Sequence, residues 1–576
     1  MKFLWAGALV VVASIGTVSA DVKLPAIFGD HMVLQQGKTL PVWGTADAGE
    51  KVTVTVGSET GSATAGADGK WTVSLAPLPA STIPVTVTVA GKNTVTFSDV
   101  LVGDVWICSG QSNMEFGLGA EFDGPAQIAK ANNPLLRLFL VPKKVALSPQ
   151  SDVAAPQPPT ALQARWVVCT PDNVVKVGGW SGFSAVGYFF GSQVQKNTGG
   201  AVGLIGTYWG GTPAQAWTSL EKLQGEPALK HYADTYTKTQ ADFSQATADF
   251  PAKQAAYQAD MAKWKQQVGL APNAVVNPPV IAKAVAAGFP APPRAPGAPD
   301  GGSGGPTNLY NGMIAPLIPY AIKGAIWYQG EANGGSVQGA IEYATLFPDM
   351  ITDWRARWAE GDFPFLFVQL AKYKNPNPGY AVLRESQRKT LALPNTGMAV
   401  VFDIGNQDDI HPKDKFDVGQ RLAQAAEHVA YGKDVVYSGP VYDKMQVQGG
   451  AIRVSFTQVG GGLIIGTAPW TPPGVQPLPN TSLAGFAIAG ADQKWVPADA
   501  KIDGSDVIVS SAQVPQPVAV RYAFIDALGN LYNKEGLPAS PFRTDTWGVS
   551  MPQPKPPVPT VTATPQTTAT PPPVAK

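Results

Sequence analysis

Charge is scarce in this 576-residue chain: only 15% of its residues are Asp, Glu, Lys or Arg, and 42 basic side chains are balanced by 42 acidic ones. With no excess of either sign there is no field to gather a polyanion, which argues against nucleic acid as a partner. Cysteine is scarcer still, with Cys108 and Cys169 alone, and histidine is limited to His31, His231, His411 and His428. No Cys-x-x-Cys or His-x-x-x-His spacing can be assembled from these, so neither a structural nor a catalytic metal is expected. The cysteines read as a buried, unreactive pair at least as readily as a bridge. After residue 20 no apolar run is long enough to span a bilayer.

What is present begins with MKFLWAGALVVVASIGTVSA, in which one lysine, an apolar stretch and the small-x-small ending Val18-Ser19-Ala20 make a secretory signal peptide over residues 1–20. The mature chain then starts at Asp21, exported to the periplasm or beyond, and no membrane association is expected after cleavage. An uncleaved anchor is the alternative, for which the apolar stretch is short. The length implies two to four domains. Over 21–98, KVTVTVGSETGSATAGADGKWTVSL and IPVTVTVAGKNTVTF alternate apolar and polar residues between Gly, Asp and Asn, as a small antiparallel β-domain should. Over 99–433 the strands become continuous apolar runs, AVGLIGTYWG, GAIWYQGE, FPFLFVQLA and MAVVFDIG, separated by helix-like stretches, which is the pattern of an α/β sheet buried on both faces.

An insertion over 220–307 interrupts that pattern. Its aromatics Tyr236, Phe243, Phe250, Tyr257 and Trp264 recur every seven positions. This predicts helix, with a break at Pro251, packed as a cover on the α/β domain rather than forming a dimerising coiled coil. Residues 270–306 are rich in Pro, Ala and Gly and read as a loop. Alternation returns over 434–549 in GAIRVSFTQVGGGLIIG and PVAVRYAFID, a second β-domain. Residues 550–576 are a Pro/Thr-rich tail with too little apolar surface to order itself.

The chemistry gathers at strand ends. The run DVWIC leads into SGQSNMEF, where Gly110 lets the chain turn and Ser112 opens a helix at the sheet edge, a suitable place for a nucleophile whose own N–H faces an oxyanion. Taken alone, a Ser-Asn pair after a strand is more often a helix cap than a catalytic group. Serine needs a base, and of the histidines His31, His231 and His428 have ordinary surface or packing readings. His411 follows the strand MAVVFDIG in the polar loop NQDDIHPKDK, with Asp408 three residues before it, near enough in a tight turn to fix its tautomer. The activity is then expected to rise with pH near the ordinary histidine value of about 6.5. Further donors are available after two strands, in TYWGGTPAQAW and in IWYQGEAN, although taken individually glycines after strands are usually just turns.

In order, GQSNM, WGGTPAQAW, IWYQGEAN and DIGNQDDIHP resemble the motifs of the sialate O-acetylesterase family of SGNH hydrolases. GDHMVLQQG, SAVGYFFG and LYNGMIAPLIPYAIKG extend the likeness, which covers most of residues 24–430. It implies a flavodoxin-like, three-layer α/β SGNH hydrolase domain, here flanked by N- and C-terminal β-domains, and hydrolysis of O-acetyl esters on sugars without a cofactor. By the same resemblance Ser112 is the nucleophile, His411 the base, Asp408 its partner and Gly211 a backbone oxyanion donor beside the N–H of Ser112. The family name expects an asparagine side chain in the third block, where this chain has Gln329 before the glycine and Asn333 three after it, so both are candidates, with Gln329 favoured at the strand end.

Gln111, Trp209, Glu331 and Arg384 are candidate substrate contacts, and Trp217 and Trp327 are candidates for stacking on sugar rings. An anionic sialate would call for a cation, for which Arg384, Arg388, Lys413 and Lys415 are available. A neutral acetylated xylan or other plant polysaccharide is the alternative substrate. A lipase or thioesterase on the same fold and a non-catalytic glycan-binding protein are the competing readings, the last opposed by an intact Ser112, Asp408 and His411. The sequence leaves the oligomeric state open.

Overall fold

The computed structural model describes residues 21–549 except 160, 293–299, 376, 468–475, 479–480 and 526–528. The expected leader and tail, 1–20 and 550–576, lie outside the described residues. The apolar runs form the centre of the protein: β1 (Thr94–Gly110), β2 (Asn133–Leu140), β3 (Trp166–Cys169), β4 (Ala201–Tyr208), β5 (Gly324–Tyr328), β6 (Phe365–Gln369) and β7 (Thr396–Val400). They lie in the order β7-β6-β5-β1-β4-β2-β3, all parallel except the edge strand β3. From β4 to β7 this is the 2-1-3-4-5 order of a doubly wound sheet, which β2 and β3 extend at one edge.

Both faces are covered, which is why these strands carry no polar alternation. Trp106 of β1 meets Phe190 of the helix α1 (Ala185–Thr198), with ring centroids 5.0 Å apart. On the opposite face Trp327 of β5 packs on Phe347 and Trp354 of α2 (Val337–Trp358). Strand neighbours share a face, and Trp327 pairs with Ser109, one residue out of phase with Trp106 and Cys108, so the helices lie on opposite sides of the sheet. α1 is joined on its side by α4 (Phe416–Val429), and α2 by α3 (Gly379–Lys389). The result is three layers, with Cys108 and Cys169 buried in them as free thiols rather than a bridge. Burial pushes the Cys169 thiol up to about 12 and Cys108 further still, so neither is reactive.

The expected boundary at residue 98 falls inside one strand. The first half of β1 pairs antiparallel with Ser81–Ala90 of the N-terminal β-unit, and its second half belongs to the parallel sheet, so the two units share a backbone. The bend lies at Asp99, whose φ of 55° is held by Arg137 and His31 on its carboxylate. The C-terminal alternation forms antiparallel sheets from Val441 onward. In the insertion, the helix Lys230–Gln267 runs through Pro251 without a break. Of its aromatic stripe only Tyr236 and Trp264 are buried, and Tyr236 donates to the Leu147 carbonyl, fastening one end to the body.

Candidate active site

Register brings the motifs to one edge. Tyr208 of β4 and Tyr328 of β5 both pair with Gly110 of β1, so the three strands end level and release their loops together. Gly110 has φ +136°, and a Cβ there would lie 2.2 Å from the Tyr328 carbonyl oxygen, so only glycine fits the turn. The next residue, Gln111, begins a short helical turn over Ser112–Glu115. Its side-chain oxygen accepts from the N–H of Ala332 at 3.1 Å, latching this turn to the loop after β5.

Ser112 is half-buried at the start of the turn, and its Oγ lies 2.9 Å from Nε2 of His411, 299 residues further along the chain. His411 sits in the loop between β7 and α4. That loop is framed by Arg421 of α4, which pairs in bidentate fashion with Asp403 at 2.6 and 2.9 Å and donates to the Val400 carbonyl. The imidazole side chain is 28% exposed, and Trp180 packs edge-on against it at 4.9 Å. Burial first, then the neighbouring Lys415 charge, lower the His411 pKa, while Asp409 opposes them. The expected inflection at the ordinary value therefore moves to lower pH.

Asp408 is exposed and makes no hydrogen bond or ion pair with His411. The carboxylate nearest Nδ1 is that of Asp409, whose Oδ1 accepts from the His411 backbone N–H at 2.9 Å and stands 4.0 Å from the ring nitrogen, too far for a hydrogen bond. Asp409 thus caps the turn, and in this conformation neither carboxylate grips the imidazole.

The oxyanion candidates separate cleanly. The N–H groups of Ser112 and Gly211 donate to no acceptor among the described residues, whereas that of Gly210 is held by Glu115 Oε2 at 2.7 Å. Gly210 lies against the serine, since a Cβ there would be 3.3 Å from Ser112 Cβ. Gln329 is fully buried and donates to the Thr212 carbonyl and to Asn333 Oδ1, while Tyr343 donates to its oxygen. Both its amide hydrogens therefore already have acceptors within the protein. Asn333 accepts at Oδ1 from Ala214 N–H and from Gln329, which fixes its amide orientation, and donates from Nδ2 to Gln215. One Nδ2 hydrogen remains uncommitted.

Several expected substrate contacts are internal. Gln111 is the latch already described. Glu331 is 7% exposed and accepts from Asn113. Arg384 is 4% exposed, donates to the Phe524 carbonyl of the C-terminal unit and lies over the Phe402 ring. Arg388 pairs with Glu385, Lys415 is wholly buried, and Trp217 and Trp327 are core. Trp209 remains half-buried at the rim, with the Lys143 ammonium 5.4 Å from its ring. A cavity of about 280 Å³ lined by Glu115, Lys143, Gln157, Gln163, Gly179 and Tyr208 opens beside the serine turn.

Sequence reasoning missed Asn113 and Trp180, and it read Lys415 only as a cation for the substrate, whereas that side chain is buried beneath the serine turn. Asn113 was visible as part of SNM, but its role depends on partners about 220 and 300 residues away. Among the described residues no group of three or more His, Cys, Asp or Glu side chains is placed to hold a metal ion, and no helix is long and apolar enough to cross a membrane.

The sequence profile of the family described as carbohydrate esterase, sialic acid-specific acetylesterase, matches residues 265–428. The chain is 27% identical over 554 residues to the sialate O-acetylesterase of Mus musculus, spanning 87% of this chain and 89% of the relative. It is 28% identical to that of Homo sapiens over 464 residues, 74% of each. Among solved structures, a carbohydrate acetylesterase from Xanthomonas citri matches at 36% identity and a TM-score of 0.70, over 92% of this chain and 100% of that one.

Proposed function

The chain belongs to the sialate O-acetylesterase family of carbohydrate esterases, and from that premise we propose that it removes acetyl groups from sugar hydroxyls through Ser112 and His411 after export and cleavage before Asp21. The observation that carries this reading is the 2.9 Å contact between Ser112 Oγ and His411 Nε2 at the edge of the sheet. Ser112 Oγ attacks the acetyl carbonyl as Nε2 takes its proton, and the N–H groups of Ser112 and Gly211 with Asn333 Nδ2 receive the negative charge on oxygen. The ester C–O bond breaks, the proton passes from His411 to the departing sugar oxygen, and acetyl-Ser112 remains. Water then attacks, His411 takes its proton and returns it to Ser112, and acetate leaves.

Asp408 is proposed as the orienting carboxylate, because the resemblance assigns it and because Asp409 is occupied in capping the turn. Such hydrogen bonds are often long without substrate and close in the complex. D408N should then lower kcat/KM by roughly 10²- to 10⁴-fold and D409N by much less. The reverse order would transfer the role to Asp409.

S112A should abolish acetate release from an aryl acetate and from acetylated glycans with an unchanged melting temperature. Retained turnover would remove Ser112 as nucleophile. The burial of Arg384 takes away a cation that favoured sialate, so acetylated xylo-oligosaccharides belong beside acetylated sialic acid in the same assay. A tenfold higher kcat/KM on the neutral substrate would assign the enzyme to plant polysaccharide.

A further inference from the structure

Beneath Ser112 lies a buried chain of polar groups that the hydrolytic steps do not use. Lys415, with no exposed surface, donates from Nζ to Asn113 Oδ1 at 2.6 Å. Asn113 Nδ2 in turn donates to Glu331 Oε1 and to the Ile410 carbonyl, the latter at 3.0 Å. One amide therefore joins the residue after the nucleophile to the loop after β5 and to the residue before His411. The Lys415 ammonium also stands over the rings of Phe116 and Tyr328, 4.9 and 5.4 Å from their centroids.

Burying an ammonium is costly, and an apolar side chain would fill the same space without that cost. A buried lysine in contact with the serine turn and the end of β5, and joined through Asn113 to the His411 loop, therefore calls for a reason beyond packing. Resting on the Ser112–His411 reading, we propose that Lys415 is a positioning residue: through Asn113 it ties the serine turn to the histidine loop, and its positive charge favours the neutral, proton-accepting form of His411.

The charges around it are all identifiable. Lys415 faces Glu331 from the loop after β5, Glu121 from the segment after the serine turn, and Asp414, Asp409 and His411 from its own loop. Burial brings Lys415 down to about 7 and pushes Glu331 up, with Asn113 and Lys415 opposing that rise. At the acid pH where His411 titrates, Lys415 is thus protonated. A cation beside an imidazole disfavours imidazolium, so His411 stays a base further into acid than it otherwise would.

The test follows the ring protons of His411, one of only four histidines, by NMR titration, together with the pH profile of kcat/KM. K415Q keeps a donor for Asn113 but loses the charge. It should raise the His411 pKa and the acid limb by about half a unit or more, roughly a threefold loss of kcat/KM on the acid side. K415M/E331Q, which removes both charges and the donor, should show the same shift and in addition a kcat plateau about tenfold lower at similar KM. An unmoved His411 titration in either folded variant would overturn the inference, as would a native His411 titrating above about 6.5, which needs no variant. If S112A kept its activity the hydrolytic reading would fail instead, and the NMR titration would still decide the effect of Lys415.

Discussion

Asn333 and Gln329 stand four positions apart and are hydrogen-bonded to each other, yet they differ in what their amides have left to give. Gln329 has no amide hydrogen left to give, whereas Asn333 has its oxygen pinned by Ala214 and Gln329 and one hydrogen free. N333A should therefore lower kcat by about 10²- to 10³-fold, as loss of an oxyanion donor does, with little change in stability. Q329A should instead show mainly in the melting temperature, because it strips partners from the buried Tyr343 hydroxyl and Asn333 oxygen, at about 1–3 kcal/mol for a stranded polar group. Measuring kcat and unfolding side by side checks both halves, and a larger kcat loss in Q329A would return the role to Gln329.

At the scale of the element, the site depends on strands that end level and on a turn that only glycine can make. A side chain at Gly110 would combine a positive φ with a 2.2 Å approach to the Tyr328 carbonyl. G110A should destabilise the protein by about 1–3 kcal/mol from strain alone, and it should lower activity at temperatures where the protein remains folded, because β1 and β5 must part. A variant as stable and as active as the native enzyme would show that the turn has another conformation. These strands were readable in sequence because burial on both faces leaves a run of apolar residues. The merging of the N-terminal unit into β1 was not readable, because alternation in its first half and continuity in its second resemble two strands with a boundary between them.

Over the whole molecule, the C-terminal β-unit is joined to the catalytic sheet by buried polar contacts. Ser540 bonds to Gln369 at the end of β6, the Phe524 carbonyl accepts from Arg384, and Tyr532 reaches the Asp403 carboxylate that Arg421 holds. Asp403 belongs to the framework of the His411 loop. A chain ending at residue 433 should consequently melt lower by roughly 5 °C or more, since it leaves several buried polar groups stranded, and it should lose activity as well. Unchanged melting and turnover would make the unit a passenger.

The kinds of residue and their order along the chain were decided by sequence alone: apolar runs demand a covered parallel sheet, and a serine, a glycine pair, an amide block and a histidine each follow a strand. Covalent order cannot say which of two neighbouring amides is already satisfied, that Arg384 faces the C-terminal unit rather than a substrate, or that Lys415 lies beneath the serine instead of on a solvated loop. Those outcomes rest on hydrogen bonds and burial between residues far apart in sequence, and only the packing of the layers brings such partners within reach of each other.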